Sequence, residues 1–431
     1  MNITENDFRD ILFENHKDSI FELISGMKEP QSWDGTGFPP ARFILKKIVE
    51  ERINKSAKDL KSLTLQAREL SLKRSNNSTT RVDLFGDSGR GGATIIELKK
   101  SKQTERQAFT ELLAYANYFC SLFPALTEKG ISSILIAPFE TRTVRDAFAQ
   151  ELIFNEKPLL GLIPSLNAGN IDLRLYYPED HYYEWLEEQI FHDHSMSVFR
   201  FTIPELKGWI DVEKNQDGVP EHTKEALNTI ANTVSQGLAK EGFHSLVYSS
   251  TAWGEVSEAT GEPHAIVVTA INPYAYHRTN IDDDFIYGDS SENRLSQVQN
   301  IYDQLAAESR EFWLISLNES FQDRLGYLSL EEIKKCFINR GGDEINIRLS
   351  CPPWSTLKIS PLASINTNIL EIYSTGLLKN IYEKYVEHAY EKGEDEIYYG
   401  DDFPKYYYET LTSFLPVWEI LSALGFSNES E

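Results

Sequence analysis

The sequence predicts an α/β protein, with an αβββαβ core toward its N-terminal end and a second α/β domain of no recognised family behind it. Three observations carry that prediction. Apolar residues recur at helical spacing over 41–57 and 104–123. Short apolar runs at 62–72, 82–85, 93–99 and 131–138 read as strands, three between those helices and one after them. Clusters of Gly, Pro, Ser and Asn separate the runs, as in Ser32–Pro40 and Lys73–Thr80.

Taken in order, residues 4–27 read as a helix through Phe8, Ile11, Leu12, Ile20, Phe21 and Leu23, so 1–40 forms an N-terminal helical segment. The core domain spans 41–195. Its first helix, Ala41–Ala57, precedes a strand at Ser62–Leu72 with a bulge expected near Arg68. Val82–Phe85 and Ala93–Lys99 pair as a hairpin through the glycine-rich stretch Gly86–Gly92, where glycine supplies positive φ. Ala108, Leu112, Tyr115 and Phe119 then make one face of a helix over Thr104–Phe123, and Ile131–Pro138 is a buried strand. Thr141–Phe154 and Tyr182–Phe191 read as helices, and Pro158–Tyr177 as irregular structure with strands. Over 196–431 a helix at Pro220–Gly242, strands at His244–Ser249 and His264–Asn272, a helix at Ser296–Glu311 and a strand at Phe312–Leu317 alternate as in an α/β domain.

No run of eighteen apolar residues occurs, so no membrane span is expected. The acidic, amphipathic first residues do not resemble a signal peptide, and three scattered cysteines fit a reducing cytoplasm. The net charge of −24 argues against a general nucleic-acid binder. Its distribution is uneven: Ala41–Arg106 carries 16 Lys and Arg against 8 Asp and Glu. That stretch holds Lys46, Lys47, Arg52, Lys73, Arg74, Arg81, Arg90, Lys99, Lys100, Lys102 and Arg106, side chains suited to positioning a DNA backbone without reading sequence.

Glu97 and Lys99 sit two residues apart at the end of a strand and therefore project to one face; the hairpin brings Asp83 alongside. Two carboxylates and an amine at one sheet edge suit a hard divalent cation holding a phosphate. Asp83 followed fourteen residues later by Glu97-Leu98-Lys99, set in the order strand, turn, strand, helix, strand, resembles the PD-(D/E)xK nuclease superfamily of restriction endonucleases and RecB- and Mrr-type nucleases. The likeness covers roughly a quarter of the chain, and Val82 stands where the family name has Pro.

The resemblance implies a restriction endonuclease-like core that hydrolyses DNA phosphodiesters. In it Asp83, Glu97 and the Leu98 carbonyl would hold Mg²⁺, with Mn²⁺ able to substitute, and Lys99 would assist the water. Such proteins often place one further carboxylate on a helix before the sheet; Glu50 and Glu51 are the candidates. Glu51, about 20° from Ile44 on the helical wheel, is favoured. RecB-type members add Gln-x3-Tyr on the following helix. Here Glu111 to Tyr115 has that spacing with Glu for Gln, and Gln107 lies one turn earlier; Gln107 and Tyr115 would buttress the site or touch phosphate. A role in restriction or anti-phage defence follows by analogy of architecture alone. The C-terminal domain would select substrate, sense a trigger, or bind a second copy or a protein partner. Two rivals stand: a non-catalytic DNA-binding or assembly module on the same core, and an unrelated small-molecule α/β enzyme.

Other features read as surface or packing. Gly86-Asp87-Ser88-Gly89 has the letters of a serine-protease nucleophile without its upstream partners, and His192-Asp193-His194 and Asp282-Asp283-Asp284 lack ligand spacing. Glu387–Glu431, with 11 acidic residues and 2 lysines, is a solvated face or a phosphate mimic covering the basic region.

Overall fold

In the computed structural model, residues 4–35, 39–72, 80–89, 92–167, 170–187, 195–211, 220–251, 264–274, 294–310, 313–338, 340, 345–352 and 371–392 are described. The chain divides into two units: Met1–Trp33 with Leu45–Tyr182, and Asp34–Ile44 with Tyr183–Glu431. The first 33 residues thus belong to the first unit, and the later division falls at 182/183, not at 195/196.

The first unit is built on a seven-stranded mixed sheet. Its strands are β1 (Ile24–Ser25), β2 (Leu63–Ser71), β3 (Arg81–Ser88), β4 (Gly92–Leu98), β5 (Ile131–Ile136), β6 (Leu159–Asn167) and β7 (Asn170–Leu175), in the spatial order β1-β7-β6-β5-β4-β3-β2. The helices are α1 (Glu5–Asn15), α2 (Ala41–Asp59, of which 41–44 count with the second unit), α3 (Lys102–Leu122), α4 (Arg142–Ile153) and α5 (Asp180–Trp185), which the division at 182/183 cuts. β2, β3 and β4 are antiparallel neighbours; β4, β5 and β6 run parallel, each parallel step crossed by a helix, α3 and then α4. The order α2-β2-β3-β4-α3-β5 is the expected αβββαβ. The bulge falls between Leu65 and Ala67, and Gly92 takes φ +66° at the start of β4.

The helix expected over 4–27 stops at Asn15. A Thr4/Asp7 capping box starts α1, which buries Phe8 and Leu12. Beyond Lys17-Asp18-Ser19 the apolar residues turn into a short 3-10 turn and then β1, which pairs with β7. Within 158–177, expected as irregular structure with strands, Leu159–Asn167 and Asn170–Leu175 pair as the antiparallel strands β6 and β7, part of the sheet itself. Phe139 stacks on Tyr176 and Phe148 meets both edge-to-face beside Gly161, where a Cβ would meet Phe139 Cζ at 2.7 Å.

The second unit holds a five-stranded sheet ordered β11-β8-β10-β9-β12 and antiparallel throughout. Its strands are β8 (Met196–Ile203), β9 (Ser245–Thr251), β10 (His264–Ile271), β11 (Arg348–Ser350) and β12 (Ile372–Ser374). On the core face, Phe199, Phe201, Ile266 and Val268 pack with Leu227, Ile230 and Val234 of α6 (Glu221–Lys240) and with Leu325 and Ile333 of a long helix, Trp313–Phe337. Of the strand expected at Phe312–Leu317, the described residues 313–317 are instead the opening of that helix. A short apolar run such as Trp313-Leu314-Ile315 suits either state, and the helical recurrence through Phe321, Leu325 and Ile333 decides it. Among the described residues no helix is long and apolar enough to cross a membrane. The acidic tail beyond 392, the His192 and Asp282 clusters, and Lys73, Arg74 and Arg90 lie outside the described residues.

Candidate functional site

The hairpin register builds the site. Leu84 pairs with Ile96, so one step further along the antiparallel ladder Asp83 faces Glu97. Alternation then sorts the faces. Val82 and Leu84 are fully buried, while Asp83 and Phe85 turn toward α3, where Phe85 stacks on Phe119 at 5.2 Å. Lys99, just past β4, donates its backbone N–H to the Ile136 carbonyl, which holds the strand end against β5. Two residues on, Ser101 caps α3 through a capping box with Thr104, fixing where the helix departs.

Polar groups converge there. Asp83 Oδ2 accepts the Leu98 backbone N–H at 2.9 Å. Lys99 Nζ lies 2.5 Å from Glu97 Oε1 and 2.6 Å from Glu111 Oε2 on α3. The Glu111 contact is an ion pair without well-directed hydrogen-bond geometry. Four residues along, Tyr115 donates its hydroxyl to the Arg81 carbonyl at 2.7 Å, tying α3 to the start of β3. From α1, Glu5 accepts the Lys100 backbone N–H at 3.2 Å. Glu97 is 2% exposed and Lys99 9%, so this is a buried ion cluster, where pairing decides whether charge is tolerated.

The electrostatics show too much negative charge for one amine. Burial, then the Asp83 carboxylate, push Glu97 up to about 9. Burial also raises Asp83, against the opposing pull of the Leu98 N–H and Lys99, and raises Glu5 beside Lys99, Asp83 and Glu111. For Lys99 burial alone would lower the amine, yet Glu97 and Glu111 outweigh it and the net shift is upward. Lys99 therefore stays protonated at neutral pH. As an ammonium it can donate to an oxyanion.

Among the described residues no three His, Cys, Asp or Glu side chains form a ready-made metal cage. The donors fit a cation that keeps much of its water. Glu97 Oε2 is a buried acceptor with no hydrogen-bond partner, it adjoins Asp83, and a dication would relieve the upward shifts of both.

Asp83, Glu97, Leu98, Lys99 and Tyr115 are thus brought together. Gln107 is not: it is exposed on α3, one turn short of Glu111. Glu51 is likewise apart. It lines an open cleft with Arg52, Lys55, Ser88, Gly92 and Gly130, at the opposite ends of β3 and β4. Its neighbour Glu50 is the buried one, 2.8 Å from Lys28 Nζ. The helical wheel ranked the two the other way because it carried no knowledge of the Lys28 segment that covers α2. The helix carboxylate near the site is Glu5. Its sequence signal was the capping box Thr4-x-x-Asp7 beginning a helix, which says nothing about where that helix packs. For Glu111 the Tyr115 spacing was the signal. Ser88 is buried at the end of β3, as befits a strand residue and not a nucleophile. Much of the basic stretch is paired: Lys46 with Asp180, Arg52 with Glu156 and Arg81 with Glu69. Lys100, next to the cluster, is exposed.

Comparison with protein-family models, curated proteins and solved structures gives no match.

Proposed function

We propose that this protein is a metal-dependent nuclease that hydrolyses DNA phosphodiester bonds through the cluster at the ends of β3 and β4. The observation that carries the reading is the convergence of Asp83, Glu97 and Lys99 on one sheet edge within an αβββαβ order, with Lys99 Nζ 2.5 Å from Glu97 Oε1. Asp83 and Glu97, with the Leu98 carbonyl, would hold Mg²⁺ or Mn²⁺. The ion would supply hydroxide near neutral pH and neutralise charge on the scissile phosphate. The chain's own part is orientation. Asp83 is anchored by the Leu98 N–H, and the Lys99 ammonium aims its protons at a phosphate oxygen as charge gathers there. Exposed Lys100 and the net positive balance of 41–106 favour a polyanionic substrate. A cytoplasmic defence role, and substrate choice, trigger sensing or assembly for the second unit, complete the proposal by analogy of architecture.

The test is cleavage of circular and linear duplex DNA with Mg²⁺, Mn²⁺ or EDTA, run beside Lys99→Ala. Metal-dependent cutting lost in the variant is the expected result. DNA binding with no cutting under any condition would instead assign the core to binding or assembly.

A further inference from the structure

We infer that Glu111 is a positioning residue for Lys99, holding its amine at the site from the helix side while Glu97 serves the cation. The inference rests on the nuclease reading above. Lys99 Nζ is bracketed by carboxylates from two elements, Glu97 Oε1 at 2.5 Å from its own strand and Glu111 Oε2 at 2.6 Å from α3. The two differ in what else they can do. Glu97 is buried, adjoins Asp83 and keeps a second oxygen without a partner, so it is the one poised for a metal ion. Glu111 is half-exposed and belongs to a helix pinned at both sides of the site, by the Ser101 capping box before it and by the Tyr115–Arg81 bond after it.

A dication drawn to Asp83 and Glu97 would take charge away from the Lys99 amine and repel it. The flexible four-carbon stem would then let the ammonium swing toward water. A carboxylate fixed on α3 supplies the counter-charge that keeps it in place. Glutamine at that position would keep the reach and lose the charge. Glu111 is therefore a departure from Gln-x3-Tyr with a physical consequence.

Two readouts test this on the full chain. In the metal-free protein, trace acylation by acetic anhydride and mass spectrometry report how open the Lys99 amine is. Glu111→Leu should make Lys99 several-fold more reactive, Glu111→Gln, which lacks the counter-charge, should recover only a minor part of the protection, and the midpoint of thermal unfolding should shift little. In cleavage, Glu111→Leu should lower kcat by roughly tenfold to a hundredfold, as removing a residue that orients a metal-site group does. KM for DNA and the half-saturating Mg²⁺ concentration should stay as they were. Unchanged labelling and kcat would overturn the inference. So would a rise in the Mg²⁺ requirement, which would make Glu111 a ligand. Absence of metal-dependent cutting by the unaltered protein would overturn the nuclease reading and this role with it, an outcome told apart by occurring before any substitution.

Discussion

Glu97→Gln should stabilise the metal-free protein, increasingly so as pH rises. The Glu97 carboxyl ordinarily titrates at 4.5 and is raised to about 9 in the fold, first by burial and then by Asp83. A folded-state value above the unfolded one means that the folded chain binds the proton more tightly. Its contribution is fully present below pH 4.5 and is lost progressively as pH climbs toward 9. Each unit is worth about 1.4 kcal/mol, so the wild-type protein should fall behind a permanently neutral Gln by about 3 kcal/mol at pH 7 and about 6 kcal/mol at pH 9. Those heights are upper bounds, because water reaching the site would soften the shift. The widening itself is the prediction. Hydrogen exchange of the amides in β4 and β5 reads the opening of the first unit alone, which a whole-chain melt of two units would blur. Wild-type and variant proteins would be compared at the same pH, at 5, 7 and 8.5. A gap that does not grow, or a variant less protected at pH 8.5, would refute the claim that the site holds a surplus of carboxylate.

Four further outcomes follow from the same geometry. Millimolar Mg²⁺ should raise the thermal midpoint of the unaltered protein at pH 8, by the mass-action stabilisation that any native-state ligand confers, and Asp83→Asn should abolish the rise. Glu51→Ala should leave DNA cleavage at the unaltered rate, since that residue lies at the far ends of β3 and β4; a large loss of kcat would return it to the site. Gly161→Ala places a Cβ at 2.7 Å from Phe139 Cζ and 2.9 Å from Phe148 Cζ, and urea unfolding should show a cost of about 1–3 kcal/mol. Tyr115→Phe removes the hydroxyl bonded to the Arg81 carbonyl, and should cost about 1 kcal/mol by the same measurement while leaving the secondary structure intact.

What could be read in advance was local. Strand alternation put Glu97 and Lys99 on one face, and a hairpin put Asp83 beside them, because period and turn chemistry are properties of neighbouring residues, although β3 runs on to Ser88, past the Gly86 at which the turn was expected to begin. The bulge at Leu65/Ala67 was visible for the same reason. Tertiary partners were not. Glu5 reaches the site only because α1 packs on β2 and β3, ninety residues ahead of β4, and no periodicity in 5–15 points to that docking. Residues 159–175 were obscured because Gly161, Pro164 and Asn167 break the alternation in strands that the sheet nonetheless absorbs. In 220–311 the alternation of helix and strand was legible, but antiparallel pairing was not, since an apolar strand such as His264–Ile271, buried along its whole length, looks alike in either sheet type.

The misplaced helix carboxylate bears on the chemistry as much as on the fold. A site completed by Glu51 would have drawn its charge from α2, where Glu50 already has Lys28 as a counter-ion. Glu5 and Glu111 come instead from α1 and α3, and both join Asp83 and Glu97 around a single ammonium. Four carboxylates to one amine is an arrangement that burial alone penalises, as the upward shifts of Glu5, Asp83 and Glu97 record. A packed core with no task gains by losing such a surplus, and one that must attract a dication gains by keeping it. The same imbalance should therefore cost stability in the metal-free protein and return it on Mg²⁺ binding, and Asp83→Asn should lose the Mg²⁺ response and shrink the pH-dependent penalty by the share that Asp83 adds to burial. If that variant lost the Mg²⁺ response but kept the pH-dependent penalty at full size, the surplus charge and the metal affinity would have separate origins.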